Sequence, residues 1–196
     1  MCETMMRFGM DCARSQHYIS EIADIIKPLH PIIIYLDQPN IKKTIDHVLN
    51  ERGKDWLNSV IDYHISQGYG KQNNLSCYDG YVQCLEERKI RELHILRALD
   101  LDYYTISQDM CMKEFAELFA SAGWDCPTEE QVELAINNST KSFIVRYREE
   151  AVAMIHWLGD YGMHWFIKDF IVSKAFQGQM MGTLLYRFSE NFIKST

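Results

Sequence analysis

Several things are missing from this sequence, and each omission removes a class of function. None of its apolar runs approaches the roughly 18–20 residues of a bilayer-spanning helix. The stretch Met1 to Met10 is polar and lacks the apolar core of a secretory leader. Lysine and arginine form no basic block, and 20 Lys+Arg against 27 Asp+Glu leave a formal net charge of -7. Nucleic acid and membrane surfaces are therefore not expected partners. The six cysteines, Cys2, Cys12, Cys77, Cys84, Cys111 and Cys126, include no CxxC pair and stand at no metal-type spacing from histidine. That pattern argues against zinc and predicts free thiols in a reducing cytoplasm. No G-x-x-x-x-G-K-[ST] occurs, so the phosphate cradle of P-loop enzymes is absent.

What is present is ample core material. The chain has 196 residues, 47% hydrophobic and 12% aromatic, which suits a soluble globular protein of one ordinary domain or two small ones. Apolar spacing predicts a helix over Ser15–Lys27, stopped by Pro28. The continuous run Pro31–Leu36 reads as a strand buried on both faces, as in a parallel sheet. Helices follow over Ile41–Glu51 and Lys54–Ser66, and Gln67-Gly68-Tyr69-Gly70-Lys71 reads as a break. A long helix spans Tyr78–Ala98, and its mixed-charge run from Glu86 to Glu92 reads as a solvated face.

The second half reads as strand, two helices, hairpin, strand, turn and helix. Leu101–Ile106 is the first strand, and Met112–Ala122 is amphipathic and closed by Gly123. Pro127-Thr128-Glu129-Glu130 opens the second helix, with Thr128 as its cap. Lys141–Tyr147 and Ala151–Leu158 form the hairpin around Arg148-Glu149-Glu150.

The stretch from Trp165 to Ser195 carries the functional signal. An apolar strand runs into Phe176-Gln177-Gly178-Gln179-Met180-Met181-Gly182 and then an amphipathic helix. Its stripe Met180, Met181, Leu184, Leu185, Phe188 and Phe192 is the expected core face. A helix start leaves backbone N–H groups unpaired at the positive end of the peptide dipoles, which suits a diphosphate.

The segment from Val172 to Gly182 resembles the acetyl-CoA signature of the GNAT acetyltransferases, commonly V-x-P-x-[YF]-[QR]-G-x-G-[IVL]-G. Two positions depart from it: Lys174 replaces the usual Pro, and Met180 replaces a Gly whose positive φ a side chain would resist. The resemblance covers about residues 101 to 196. It implies an α/β protein, α+β in this half, in which a helical segment with one parallel strand precedes an incomplete GNAT-type mixed sheet with flanking helices. It further implies an N-acetyltransferase that moves an acetyl group from acetyl-CoA to a primary amine of a small molecule or peptide. The pantetheine arm would face the backbone of Phe170, Ile171 and Val172, and the diphosphate would lie on Gln177, Gly178, Gln179, Met180, Met181 and Gly182.

A base must also take the amine's proton. Glu150, His156, His164 and Asp169 are candidates, and Asp169 ranks first because it is a charge within an apolar strand. Residues 10–106 are more distantly similar to the later part of a P-loop nucleotide kinase without its P-loop. This divides the chain into a helical part, 1–100, and an acetyltransferase-like part, 101–196. The family pattern runs on beyond the last helix, so the expectations include a truncated chain, or a sheet whose open edge favours a homo-oligomer. Two alternatives to catalysis stay open: an inactive fragment or interaction module, and a nucleotide-kinase remnant.

Overall fold

The structure, a computed structural model, describes residues 1–38 and 40–194; Pro39, Ser195 and Thr196 lie outside these. The chain separates into two compact units, Met1–Pro31 with Asn40–Leu101 and Ile32–Pro39 with Asp102–Thr196.

The first unit is helical: α1 (Cys2–Arg7), α2 (Cys12–Ile26), α3 (Ile41–Ile65), α4 (Gly68–Gln72) and α5 (Cys77–Ala98). The polar N-terminal stretch forms α1, which was not expected from its pattern and buries Cys2, Met5 and Met6. Gly53, at φ 80 and ψ 175, breaks α3 between the two helices expected there. The expected break at 67–71 instead carries the short helix α4.

The charged run on α5 is not simply solvated. The Arg91 side chain is only 11% exposed and pairs with Glu87 at 2.6 Å, while its Nη1 donates to the Met10 carbonyl at 3.0 Å. Arg88 pairs with Glu3 of α1 at 2.9 Å. Arginine stems lie along apolar surface and their heads find partners, so a charged stripe can act as a seam between helices. No helix among the described residues is long and apolar enough to cross a membrane.

The second unit is a five-stranded mixed sheet with helices on both faces. Its elements are β1 (Ile32–Leu36), β2 (Asp102–Ser107), α6 (Met112–Ala122), α7 (Glu129–Asn138), β3 (Lys141–Tyr147), β4 (Glu150–Gly159), β5 (Trp165–Val172) and α8 (Met181–Lys194). The strands lie in the order β1-β2-β3-β4-β5. Only the β1–β2 pair is parallel; the other pairs are antiparallel.

The strand read as buried on both faces is thus an edge strand, with Ile32 63%, Ile34 45% and Leu36 51% exposed. A run of β-branched residues is compatible with either environment, because the tertiary neighbours decide it.

Period-two alternation divides the rest. Phe143, Val145, Ile155 and Trp157 face α8, where Met181 and Leu185 meet them. Ile144, Met154 and Ile171 face α6 and α7, against Phe115, Leu118 and Val132. Thr128 caps α7 as expected, its Oγ1 accepting from the Gln131 amide. The core face of α8 differs from the expected stripe at one end: Met181, Leu185, Ser189 and Ile193 are buried, whereas Met180 precedes the helix and is 71% exposed.

Candidate acyl-carrier site

The site begins at the open side of β5. The Ser173 amide donates to Val152 O at 2.8 Å, and Val172 lies opposite Ala153. Alternation along an antiparallel pair therefore commits the N–H and C=O of Ile171 to β4 and turns those of Phe170 and Val172 away from it. Of the three residues expected along a pantetheine arm, two turn their backbone groups away from β4. Ile171 does not, and its side chain is 2% exposed among the core residues beneath α6. The outward Val172 carbonyl already accepts from Gln177 Nε2 at 2.8 Å.

The chain then makes a 3-10 turn over Lys174–Phe176 and enters α8. Gly178 has φ 77 and Met180 has φ 61. A side chain built at Gly178 would meet nothing within 4 Å, so its backbone is open to a ligand. No amide from Gly178 to Thr183 makes a hydrogen bond of normal geometry to a described residue; the first intrahelical bond runs from the Leu184 amide to Met180 O at 2.9 Å. Six amides without such bonds to described residues thus lie at the positive end of a 14-residue helix.

The turn is braced by side chains instead, with Gln179 Nε2 on Ala175 O at 2.9 Å and Gln177 on Val172. Met181 offers only its amide, since its side chain is buried. The described residues therefore fit a diphosphate carrier at this place.

The four candidate bases separate. His164 is in the turn before β5, its Nδ1 3.8 Å from Asp160 and its side chain 61% exposed. Glu150 lies at the start of β4 and lines a cleft of about 790 Å³ that also holds Asp109, Glu114, Glu117 and Arg146. His156 and Asp169 alone among the four are brought together, as cross-strand partners.

In that cleft Arg146 Nη2 donates to Glu114 Oε2 at 2.8 Å and to Asp109 O at 2.7 Å. Burial pushes the Glu114 carboxyl up, but the hydrogen bonds from Arg146 and the Cys111 amide outweigh it and hold it below the ordinary carboxylate range. Arg146 is correspondingly raised: burial alone would lower it, and the Glu114 hydrogen bond and charge prevail. Neither residue was singled out by sequence reasoning, because the two lie 32 positions apart on different elements.

A second, apolar groove of about 680 Å³ runs beside α8 from Gln179 and Met180 to Ile32 and Ile34 of β1.

Residues 102–196 match the model of the acetyltransferase (GNAT) family. They form a GNAT acetyltransferase domain. The family is one of transferases, and the amides before α8 lie within the matched residues.

Among solved structures, the chain is similar to a probable acetyltransferase, SA2161, from meticillin-resistant Staphylococcus aureus, at 25% identity over 47% of this chain and 70% of that one, TM-score 0.44. It is also similar to the GNAT family protein SP0256 from Streptococcus pneumoniae TIGR4, at 22% identity over 48% of this chain and 69% of that one, TM-score 0.42. An aminoglycoside 6'-N-acetyltransferase complexed with coenzyme A matches at 19% identity over 46% of this chain and 55% of its own, TM-score 0.40. The assignment of the acetyltransferase domain rests on the family model. No curated protein matches the chain. The kinase-like similarity of residues 10–106 and the truncated chain gain no support from these comparisons.

Proposed function

We propose that the chain is an N-acetyltransferase that moves an acetyl group from acetyl-CoA to a primary amine of a small molecule or peptide. The observation that carries this reading is the run of unbonded amides from Gly178 to Thr183, beside the outward backbone of Phe170 and Val172.

When bound, acetyl-CoA supplies a thioester carbonyl already activated toward amines. The chain's own residues hold and orient. The six amides would donate to the diphosphate oxygens, the outward groups of Phe170 and the Val172 N–H would pair with the arm, and an outward N–H would polarise the reacting carbonyl oxygen. Asp169, on the α6 side of β5, takes the proton that the acceptor ammonium must lose before it can attack. The same reading places the protein in the cytoplasm, where its six free thiols stay reduced.

The open side of β5 also supports a second reading, an interaction module without turnover. A strand from a second copy added there would occupy the groups assigned to the arm.

One pair of measurements separates the two readings. Coenzyme A at about 100 times its dissociation constant is expected to stabilise the chain by about 2.7 kcal/mol, which is roughly 5 °C or more in melting temperature for a chain of this size. An unchanged melting temperature at saturating coenzyme A, with a dimer in sedimentation, would reject catalysis in favour of the module.

A further inference from the structure

The proposed chemistry uses Asp169 and leaves its neighbour unexplained. His156 is fully buried, with 0% exposed, and faces Asp169 directly across the β4–β5 ladder. Its Nδ1 lies 3.4 Å from Asp169 Oδ2, and the ring of Phe115 from α6 covers it at 5.3 Å between centroids. Neither imidazole nitrogen nor Asp169 Oδ2 has a partner in hydrogen-bond geometry. The Nδ1–Oδ2 approach is a close polar contact just off hydrogen-bond geometry.

Three buried polar atoms without hydrogen bonds in one place oppose folding. An apolar side chain would fill the same space beneath Phe115 without that penalty. The ladder is also irregular at this point: His156 pairs with Asp169 and Trp157 with Ile167, so Lys168 is the extra residue of a bulge. Bulges beside reactive groups re-aim side chains, and this one brings Lys168 Nζ to 3.8 Å from the same Oδ2.

The tautomer follows from these contacts. A proton on Nε2 alone would leave a buried donor without an acceptor and set the Nδ1 lone pair against a carboxylate oxygen. A proton on Nδ1 removes both conflicts.

We propose that His156 is a positioning residue for Asp169: its Nδ1–H is directed at Oδ2, fixes the plane of the carboxylate and reserves Oδ1 for the acceptor amine. The proposal rests on the acetyltransferase reading for the identity of what Oδ1 meets. The proton count is simple. The ammonium gives one proton to Asp169 Oδ1, the neutral amine and a neutral carboxyl result, and the Nδ1 proton of His156 stays in place throughout. A carboxylate free to rotate would present the wrong oxygen for part of the time. The buried imidazole removes that freedom.

Long-range proton–nitrogen NMR on the full chain tests this without any acceptor. The His156 signal is assigned by its disappearance in His156→Gln. The expected result is a proton on Nδ1 and a bare Nε2 in the unsubstituted protein, with that preference lost in Asp169→Ala. A ring protonated on Nε2, or a tautomer unchanged in Asp169→Ala, overturns the proposal. If Asp169→Ala does not fold, the tautomer of the unsubstituted protein decides alone. Coenzyme A added to the same sample reports on the carrier site through the amides of Gly178 and Gly182, so the two readings fail separately.

Discussion

Met180 is where the acyl-carrier turn departs most from what its backbone prefers. At φ 61 it adopts the left-handed region without being glycine, and its side chain is 71% exposed, so little packing compensates. Met180→Gly is expected to stabilise the chain by about 1 kcal/mol, a rise of roughly 2–4 °C in melting temperature, and to leave the amide donors in place. The opposite holds for Ser189. Its Oγ accepts from Trp157 Nε1 at 3.1 Å in the core beneath α8, and Ser189→Ala would strand a buried indole N–H at a loss of about 1–3 kcal/mol in denaturant unfolding. Sequence reasoning recognised the strain at Met180 because glycine is expected there. It missed Ser189, because a serine on an apolar stripe carries no sign of the partner it will meet.

At the scale of elements, α6 is fastened to β3 through Glu114 and Arg146, with side-chain exposures of 15% and 19%. Removing one partner of so enclosed a pair leaves the other charge stranded, so Glu114→Gln should lower stability at neutral pH by about 3 kcal/mol. The folded-state pKa of Glu114 lies below its ordinary value of 4.5. Its contribution is therefore present above that pH and is lost as pH falls through the lower, folded value. Chemical unfolding across the acid range should show a shallower decline in Glu114→Gln than in the unsubstituted chain.

The long charged helix α5 yields a related lesson. Its composition suggested a face turned to water, yet Arg88 and Arg91 bind partners from the N-terminal stretch. Charge spacing along one helix is visible in a sequence; the carbonyl or carboxylate brought to it from elsewhere is not.

For the whole molecule, the sheet of the second unit sets a gradient of protection. Residues 143–145 on β3 and 152–155 on β4 are at most 1% exposed, so their amides should exchange with solvent most slowly. Within β5, the amides of Phe170 and Val172 point away from β4 and should exchange fastest. Coenzyme A should slow those two and the amides from Gly178 to Thr183 while leaving β3 unchanged, as hydrogen-exchange mass spectrometry with fragmentation would show. Equal exchange along β5 with and without coenzyme A would contradict the placement of the arm.

The succession of elements from residue 102 onward was determined by the sequence alone, because caps, glycine and hydrophobic period are local signals: Thr128 before α7, Gly123 after α6, alternation through β3 and β4. The turn at Gln177 to Gly182 was legible for the same reason. What only the tertiary structure decided was which distant pieces meet. It seated β1 on the edge of β2, 70 positions away in register from Ile32 to Asp102, and set His156 against Asp169. Long-range pairing depends on closing a chain loop around a shared core, and no stretch of residues records on its own which partner it will find there.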